Sequence, residues 1–215
     1  EGPFEGSWRV KFDIIGNPKV SIVIPTKDKV DYLERAIDSI WEHTKYKNYE
    51  IVIVDNRSEE EETKKYFKEI KEKGFKVLEY DKPFHFGKLY NWAATQVDGE
   101  YMLVLNNDIK VLNDGWLESM LEWAQLPEVG SVGAKLYYPD GKIQHAGVIV
   151  GAGGAAAHSH RLLWGGTLGY EGCVVNIRNY LAVTGACMMV RRKLFLDMGG
   201  FDEQFDPAYQ DVGFG

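Results

Sequence analysis

Short, uniformly apolar runs alternate with longer amphipathic segments through the first half of the chain. The run "VSIVIP" (20–25) is β-branched and closed by proline, as expected of a strand buried on both faces. The segment after it, "KVDYLERAIDSIWEHT", sets Leu33, Ile37, Ile40 and Trp41 at helical spacing. "EIVIVD" (50–55) predicts a second buried strand. "EEEETKKYFKEIKEKG" predicts a charged helix ended by Gly74, with Tyr66, Phe67 and Ile70 as its inner face. "FKVLEY" (75–80) then predicts a third strand, "GKLYNWAATQ" a third helix and "EYMLVLNN" a fourth strand.

Strand and helix therefore alternate three times across short connections, which calls for an α/β fold with a mostly parallel, doubly wound, Rossmann-like sheet. Such sheets bind ligands at the carboxyl ends of their strands, where the connections diverge. The positions to examine are those just after each strand: "PTKD", "DNRS", "DKPFHFGK" and "NND". From Gly130 onward the chain has many glycines and fewer helical patterns. The stretch "GVIVGAGGAAAHSH" (147–160) reads equally as a flexible loop, a tightly packed strand pair or a mobile segment over a substrate cleft.

Composition narrows the function classes. The 215 residues suffice for one large domain or two small ones, with 45 % hydrophobic and 27 % charged residues. A net charge of −7 argues against nucleic-acid binding through general electrostatics. It leaves room for a phosphorylated small molecule if a metal ion or one local cation offsets the charge. Cys173 and Cys187 have no metal-ligand spacing and read as small core hydrophobes in a reducing compartment. No apolar run is long enough to span a bilayer, and "EGPFEGSWRV" does not read as a signal peptide. The chain starts without Met and stops at "QDVGFG", within an expected element, so it reads as a fragment or one domain of something longer.

Taken singly, the strand-end residues leave two readings open. Asp55 and Asn56 make a common turn, or present acceptors to a nucleobase N–H. Lys88 is a solvated lysine, or a cation for a diphosphate aided by free N–H groups at a helix start. Asp108, taken to end the fourth strand, closes a polar turn or ligates Mg²⁺ or Mn²⁺, which need few protein carboxylates when phosphates and water complete the shell. Asp211 is a helix-start carboxylate, or a general base for a hydroxyl nucleophile. His85, His145, His158 and His160 read as structural or acceptor-side groups rather than metal ligands, with one of the last pair able to approach the cleft.

In order, "VSIVIPTKD", "EIVIVDNRS", "GEYMLVLNNDI", "VGAKLYYPDGKIQHAGV" and "TGACMMVRRKLFLDMGGFDEQFDPAYQDV" resemble family 2 glycosyltransferases of the GT-A fold. The likeness is greatest to the bacterial branch that builds O-antigen and capsule polysaccharide, including rhamnosyltransferase-like members. It implies a GT-A domain over 18–215 behind an N-terminal extension (1–17). The nucleotide-sugar half would occupy about 18–112, and a smaller, mixed acceptor half about 113–215, truncated at its end. It also implies inverting transfer from a nucleotide diphosphate donor, a UDP- or dTDP-sugar first, to a hydroxyl of a saccharide or lipid-linked saccharide. The cofactor would be Mn²⁺ or Mg²⁺. The expected location is the cytoplasm, with peripheral association at the inner membrane face left open.

Carried over by position, Pro25, Thr26 and Asp28 match the loop bordering the nucleoside, and Asp55 and Asn56 the pair that meets the base. Lys88 falls where a basic residue approaches the diphosphate. Asn107 and Asp108 match the end of the DxD-type motif, with Asp108 the metal ligand, and Asp211 matches the catalytic base. The chain departs from the pattern at Asn56, where Asp is frequent, at Asn106 in place of the first DxD carboxylate, at Gln210 before the base, and at Gly213. Two rivals are weighed: a non-catalytic nucleotide-sugar-binding domain, and a sugar-nucleotide nucleotidyltransferase. The second is disfavoured because "PTKDKVDYL" lacks a Gly-rich basic loop.

Overall fold

The computed structural model describes residues 2–205 and 208–215. Its first half follows the predicted alternation: β1 (Val20–Thr26), α1 (Val30–His43), β2 (Tyr49–Asp55), α2 (Glu61–Glu72), β3 (Lys76–Glu79), α3 (Phe86–Gln96) and β4 (Tyr101–Leu105). The second half adds α4 (Trp116–Ala124) and five short strands: β5 (Ser131–Gly133), β6 (Leu136–Tyr137), β7 (Ile143–His145), β8 (Val148–Val150) and β9 (Ala156–His158). It closes with β10 (Cys187–Arg191), α5 (Arg192–Asp197) and α6 (Gln210–Phe214).

One sheet carries both halves, in the order β3-β2-β1-β4-β10-β5. β1 to β4 are mutually parallel, whereas β10 lies antiparallel between β4 and β5. Strand alternation sorts the core into two layers. Ile22, Ile24, Ile53 and Leu103 face α1, α2 and α4 through Leu33, Ile37, Phe67 and Leu121. Val23, Val54, Met102 and Val104 face the other way, onto Leu89 and Tyr90 of α3 and onto Phe195, Phe201 and Phe214. Strand order reverses between β1 and β4, so the crevice for a ligand opens at the carboxyl ends of those two strands.

Two expectations need correction, and one open choice is resolved. Trp41 is 52 % exposed and leans on Phe75, with ring centroids 5.2 Å apart, instead of joining the inner face of α1. Ile40 takes the core position, and Trp41, at the rim of the stripe buried through Leu33, Ala36, Ile37 and Ile40, stays at the surface. β4 ends at Leu105, so Asp108 stands in the turn beyond it. Of the three options for 147–160, the strand pair forms: β8 and β9 are antiparallel, with Val148 opposite His158. Residues 2–17 contain neither helix nor strand and run over α4, where Phe12 meets Trp123 edge-on and Gln125 binds the backbone of Asp13 and Ile15.

Candidate active site

Two clusters form at the carboxyl end of the sheet. The first is made by the loops after β1 and β2. Asp28 and Lys29 both have φ of 55°, a region that non-glycine residues enter at a cost of roughly 1–3 kcal/mol each. The strained loop is held by hydrogen bonds from across the sheet. Asp28 Oδ1 accepts the N–H groups of Glu59 (2.7 Å) and Glu60 (2.9 Å), and its own N–H donates to Ser58 Oγ. Asp55 Oδ1 accepts the Ser58 N–H three residues on, at 2.9 Å, which closes the turn after β2. Pro25 lies half-buried between these elements, in register with Val54.

Asn56 is buried, and its orientation is set by its donors. Nδ2 gives its two hydrogens to the carbonyls of Tyr80 (3.0 Å) and Lys82 (2.7 Å), so Oδ1 is the end left to accept. Thr26 connects this cluster to the next strand, because its Oγ1 accepts from Asn107 Nδ2 at 2.9 Å across the β1–β4 switch point. Asn107 therefore ties the two strand ends together. Asn106, beside it, donates its N–H to the Ala186 carbonyl and faces the second cluster.

That second cluster surrounds a cavity of about 440 Å³, lined by Phe86, Asn106, His158, Gly185, Tyr209 and Asp211, among others. Asp211 lies in the first turn of α6, half-buried. Its Oδ2 accepts the Gly185 N–H at 2.8 Å and its Oδ1 accepts the Val212 N–H at 2.9 Å. A carboxylate oxygen has two lone pairs, so each keeps one free for a substrate. Gln210 is buried and donates Nε2 to the Phe205 carbonyl at 2.6 Å, which holds the approach to α6. An acid at this position could not make that bond when ionised. Gly213 has Phe205 beside it, 3.0 Å from where a Cβ would sit.

Burial lowers His145 to about 3, with His158 adding to the shift. Burial also lowers His158, while the Asp211 carboxylate opposes that shift. Asp211 and His158 are thus electrostatic neighbours across the cavity. Lys88 stands apart, exposed on the first turn of α3. Its N–H is taken by His85 Nδ1 at 3.3 Å, so the free helix-start amide expected there is already capped.

Asp108 is exposed on the turn after β4. Among the described residues, no group of three or more His, Cys, Asp or Glu side chains is placed to hold a metal. One exposed carboxylate beside two amides suits a hard cation that draws its other ligands from phosphate and water, and it does not suit a protein-enclosed site.

Sequence reasoning missed Gly185 and its neighbour Thr184, which act through backbone N–H groups. The only trace was a glycine just before a buried apolar run, in "VTGACMMV". Phe86, whose ring closes one wall, also went unremarked.

The profile of glycosyl transferase family 2 matches residues 21–199. The chain is 42 % identical over 215 residues to the uncharacterized protein y4gI of Sinorhizobium fredii, covering 98 % of this chain and 24 % of that protein. It is 41 % identical over 209 residues to the O-antigen biosynthesis protein RfbC of Myxococcus xanthus, covering 97 % and 16 % respectively. The chain thus spans a quarter or less of these curated relatives. Among solved structures, the mannosyltransferase PcManGT of Pyrobaculum calidifontis, in complex with GDP-Man and Mn²⁺, superposes with a TM-score of 0.66. Identity there is 18 %, over 96 % of this chain and 53 % of that one.

Proposed function

The chain belongs to glycosyl transferase family 2, and from that premise we propose that it moves a sugar, with inversion, from a UDP- or dTDP-sugar to an acceptor hydroxyl. The acceptor class we assign is a saccharide or lipid-linked saccharide of a surface polysaccharide, in keeping with the O-antigen relative. The observation that carries this reading is Asp211: a carboxylate positioned by two backbone N–H groups on the wall of a 440 Å³ cavity, next to the turn after β4.

The roles follow from the two clusters. Pro25, Thr26, Asp28, Asp55 and Asn56 form the nucleoside side, where the free Oδ1 of Asn56 accepts the N3–H of uracil or thymine. Asn107 keeps the nucleoside loop in register with the turn carrying Asp108. Asp108 would hold Mn²⁺ or Mg²⁺, which when bound neutralises diphosphate charge and favours the leaving group. Lys88, exposed on the first turn of α3, would reach the diphosphate of the bound donor through its ammonium alone. The acceptor hydroxyl enters the second cluster, where a free lone pair on Asp211 takes its proton as the oxygen attacks the anomeric carbon. Attack from the face opposite the leaving diphosphate inverts that centre. We place the reaction on the cytoplasmic side, with peripheral contact at the inner membrane face if the acceptor is lipid-linked. Among the described residues, no helix is long and apolar enough to cross a membrane.

Calorimetric titration of UDP, dTDP and GDP, each with and without Mn²⁺, tests the donor half. Tight binding of UDP or dTDP that needs Mn²⁺ is the expected result, and preference for GDP would reassign the role of Asn56. Donor consumption with and without acceptor then separates transfer from a domain that only binds.

A further inference from the structure

Two consecutive backbone amides tie Asp211 to a second pair of side chains. Gly185 N–H binds Asp211 Oδ2, and the preceding Thr184 N–H points to His145 Nε2 at 3.4 Å. Gly147 N–H also points to that nitrogen, at 3.3 Å. Gly147 has φ of +107°, and a Cβ there would lie 2.3 Å from the Tyr180 ring, so only glycine brings its amide to this place. With two N–H groups directed at it, Nε2 of His145 is the acceptor nitrogen. The proton of the neutral ring therefore sits on Nδ1. His145 Nδ1 is 2.9 Å from His158 Nδ1, and the rings meet at 89°. His145 donates this bond, His158 Nδ1 accepts it, and a neutral His158 must carry its own proton on Nε2. His145 is 1 % exposed, whereas His158 is open to the cavity that contains Asp211.

We propose that His158 contacts the acceptor saccharide, donating its Nε2–H to a sugar oxygen next to the hydroxyl that Asp211 deprotonates, and that buried His145 is a positioning residue that sets this tautomer. The inference rests on the transfer reading above for the identity of the ligand, but the tautomers follow from the hydrogen bonds alone. The logic is geometric. A general base accepts a proton from one hydroxyl, and a donor at a fixed distance reads the neighbouring oxygen, so the pair selects which hydroxyl reaches the anomeric carbon. Because the Thr184–Gly185 amides hold both His145 and Asp211, donor and base move as one unit.

Nitrogen-15 NMR of the histidine rings in the 215-residue chain tests the tautomers without any substrate. The expected pattern is Nδ1–H on His145 and Nε2–H on His158. A His158 ring protonated on Nδ1 alone would overturn the proposal. Titration with p-nitrophenyl glycosides of glucose, galactose, mannose, rhamnose and N-acetylglucosamine follows, up to about 10 mM, tenfold above the usual upper KM. At least one glycoside should shift the His158 Nε2 signal while leaving His145 fixed; no shift with any of them sinks the contact.

In transfer assays, His158→Ala should raise the KM for the responsive glycoside roughly 3- to 10-fold, the worth of one hydrogen bond. Donor KM, which reads the separate nucleoside cluster, should stay within twofold. His145→Gln can still accept from Thr184 and donate to His158, so it should keep the His158 tautomer and the acceptor KM. His145→Leu should lose both. A purely structural His145 would lower stability in both variants without changing the His158 ring signal. If the wild-type chain consumes no nucleotide sugar, the transfer reading fails by itself, and the NMR arms still decide the tautomers and the saccharide contact.

Discussion

Replacing Asp211 by Asn removes the base while keeping the shape of the side chain, and the structure sets what else should change. Both carboxylate oxygens accept backbone N–H groups, from Gly185 at 2.8 Å and Val212 at 2.9 Å. An amide can satisfy one of these and must turn its NH₂ toward the other. One hydrogen bond to a charged acceptor is lost, about 1.5–3 kcal/mol. In a chain of this size that lowers Tm by roughly 3–12 °C. The rate effect is separate. A positioned general base contributes about 10²–10⁴-fold, or about 3–5 kcal/mol of barrier at about 1.36 kcal/mol per tenfold. Transfer should be assayed well below the lowered Tm, where the variant is folded, with nucleotide affinity measured by calorimetry in the same buffer. The reasoning predicts transfer down at least a hundredfold and nucleotide affinity within about threefold. If Asp211 only caps α6, Tm falls but transfer persists within a few fold, and the assignment of the base is refuted. Equal loss of rate and donor affinity would also refute it, because the cavity of Asp211 and the nucleoside cluster are separate groups of residues.

Asp108→Ala should abolish the Mn²⁺-dependent part of nucleotide binding and leave the metal-free part intact; unchanged affinity with Mn²⁺ present rules it out as the ligand. Asn56→Asp keeps an acceptor for the base but loses both donor bonds to the Tyr80 and Lys82 carbonyls, so stability should fall by about 1–3 kcal/mol with UDP affinity little changed. Urea midpoints and calorimetry on the same samples check this pair of outcomes. Gly185→Ala places a Cβ 2.6 Å from Phe86 Cζ and 3.5 Å from Asp211 Cβ, so it should cost about 1–3 kcal/mol and displace the amide that holds the base. Transfer should fall more than tenfold with donor affinity retained; wild-type transfer would show that the cavity wall is not rigid. Buried His145 stays neutral down to about 3, whereas an unfolded histidine takes up its proton near 6.5. Its contribution is therefore fully present above 6.5 and is lost as pH falls, by about 2 kcal/mol between about pH 7.5 and about pH 5. The urea midpoint of His145→Gln should show a correspondingly smaller loss over that interval, and an equal loss in both proteins would refute the assignment.

What could be read from the sequence depended on the physical form of each signal. β1, β2 and β4 were legible because a parallel strand covered on both faces must be apolar at nearly every position, and "SIVIP", "IVIVD" and "YMLVL" are. Once that topology was fixed, Asp28, Asp55, Asn56 and Asp108 had to lie at one rim, since each follows a strand running the same way. Residue type alone did not show how each side chain is used. Asn56 read as an acceptor, and only its contacts with two carbonyls show which end of the amide is free to be one. The acceptor half resisted reading for a different reason. Strands of two and three residues have no period to detect, and β5 to β9 are all of that length. Its working parts are backbone amides at Gly147, Thr184 and Gly185, which no residue type announces. A glycine needed for its φ and one needed for close approach look alike in a sequence. Here Gly147 serves both needs and Gly185 the second alone. That difference has a consequence for change at this site: a side chain at Gly185 disturbs one aromatic wall, whereas one at Gly147 must break the turn that sets the tautomers of His145 and His158. Variation in acceptor choice is therefore expected to enter through the side chains around His158, with the glycine framework beneath them held constant.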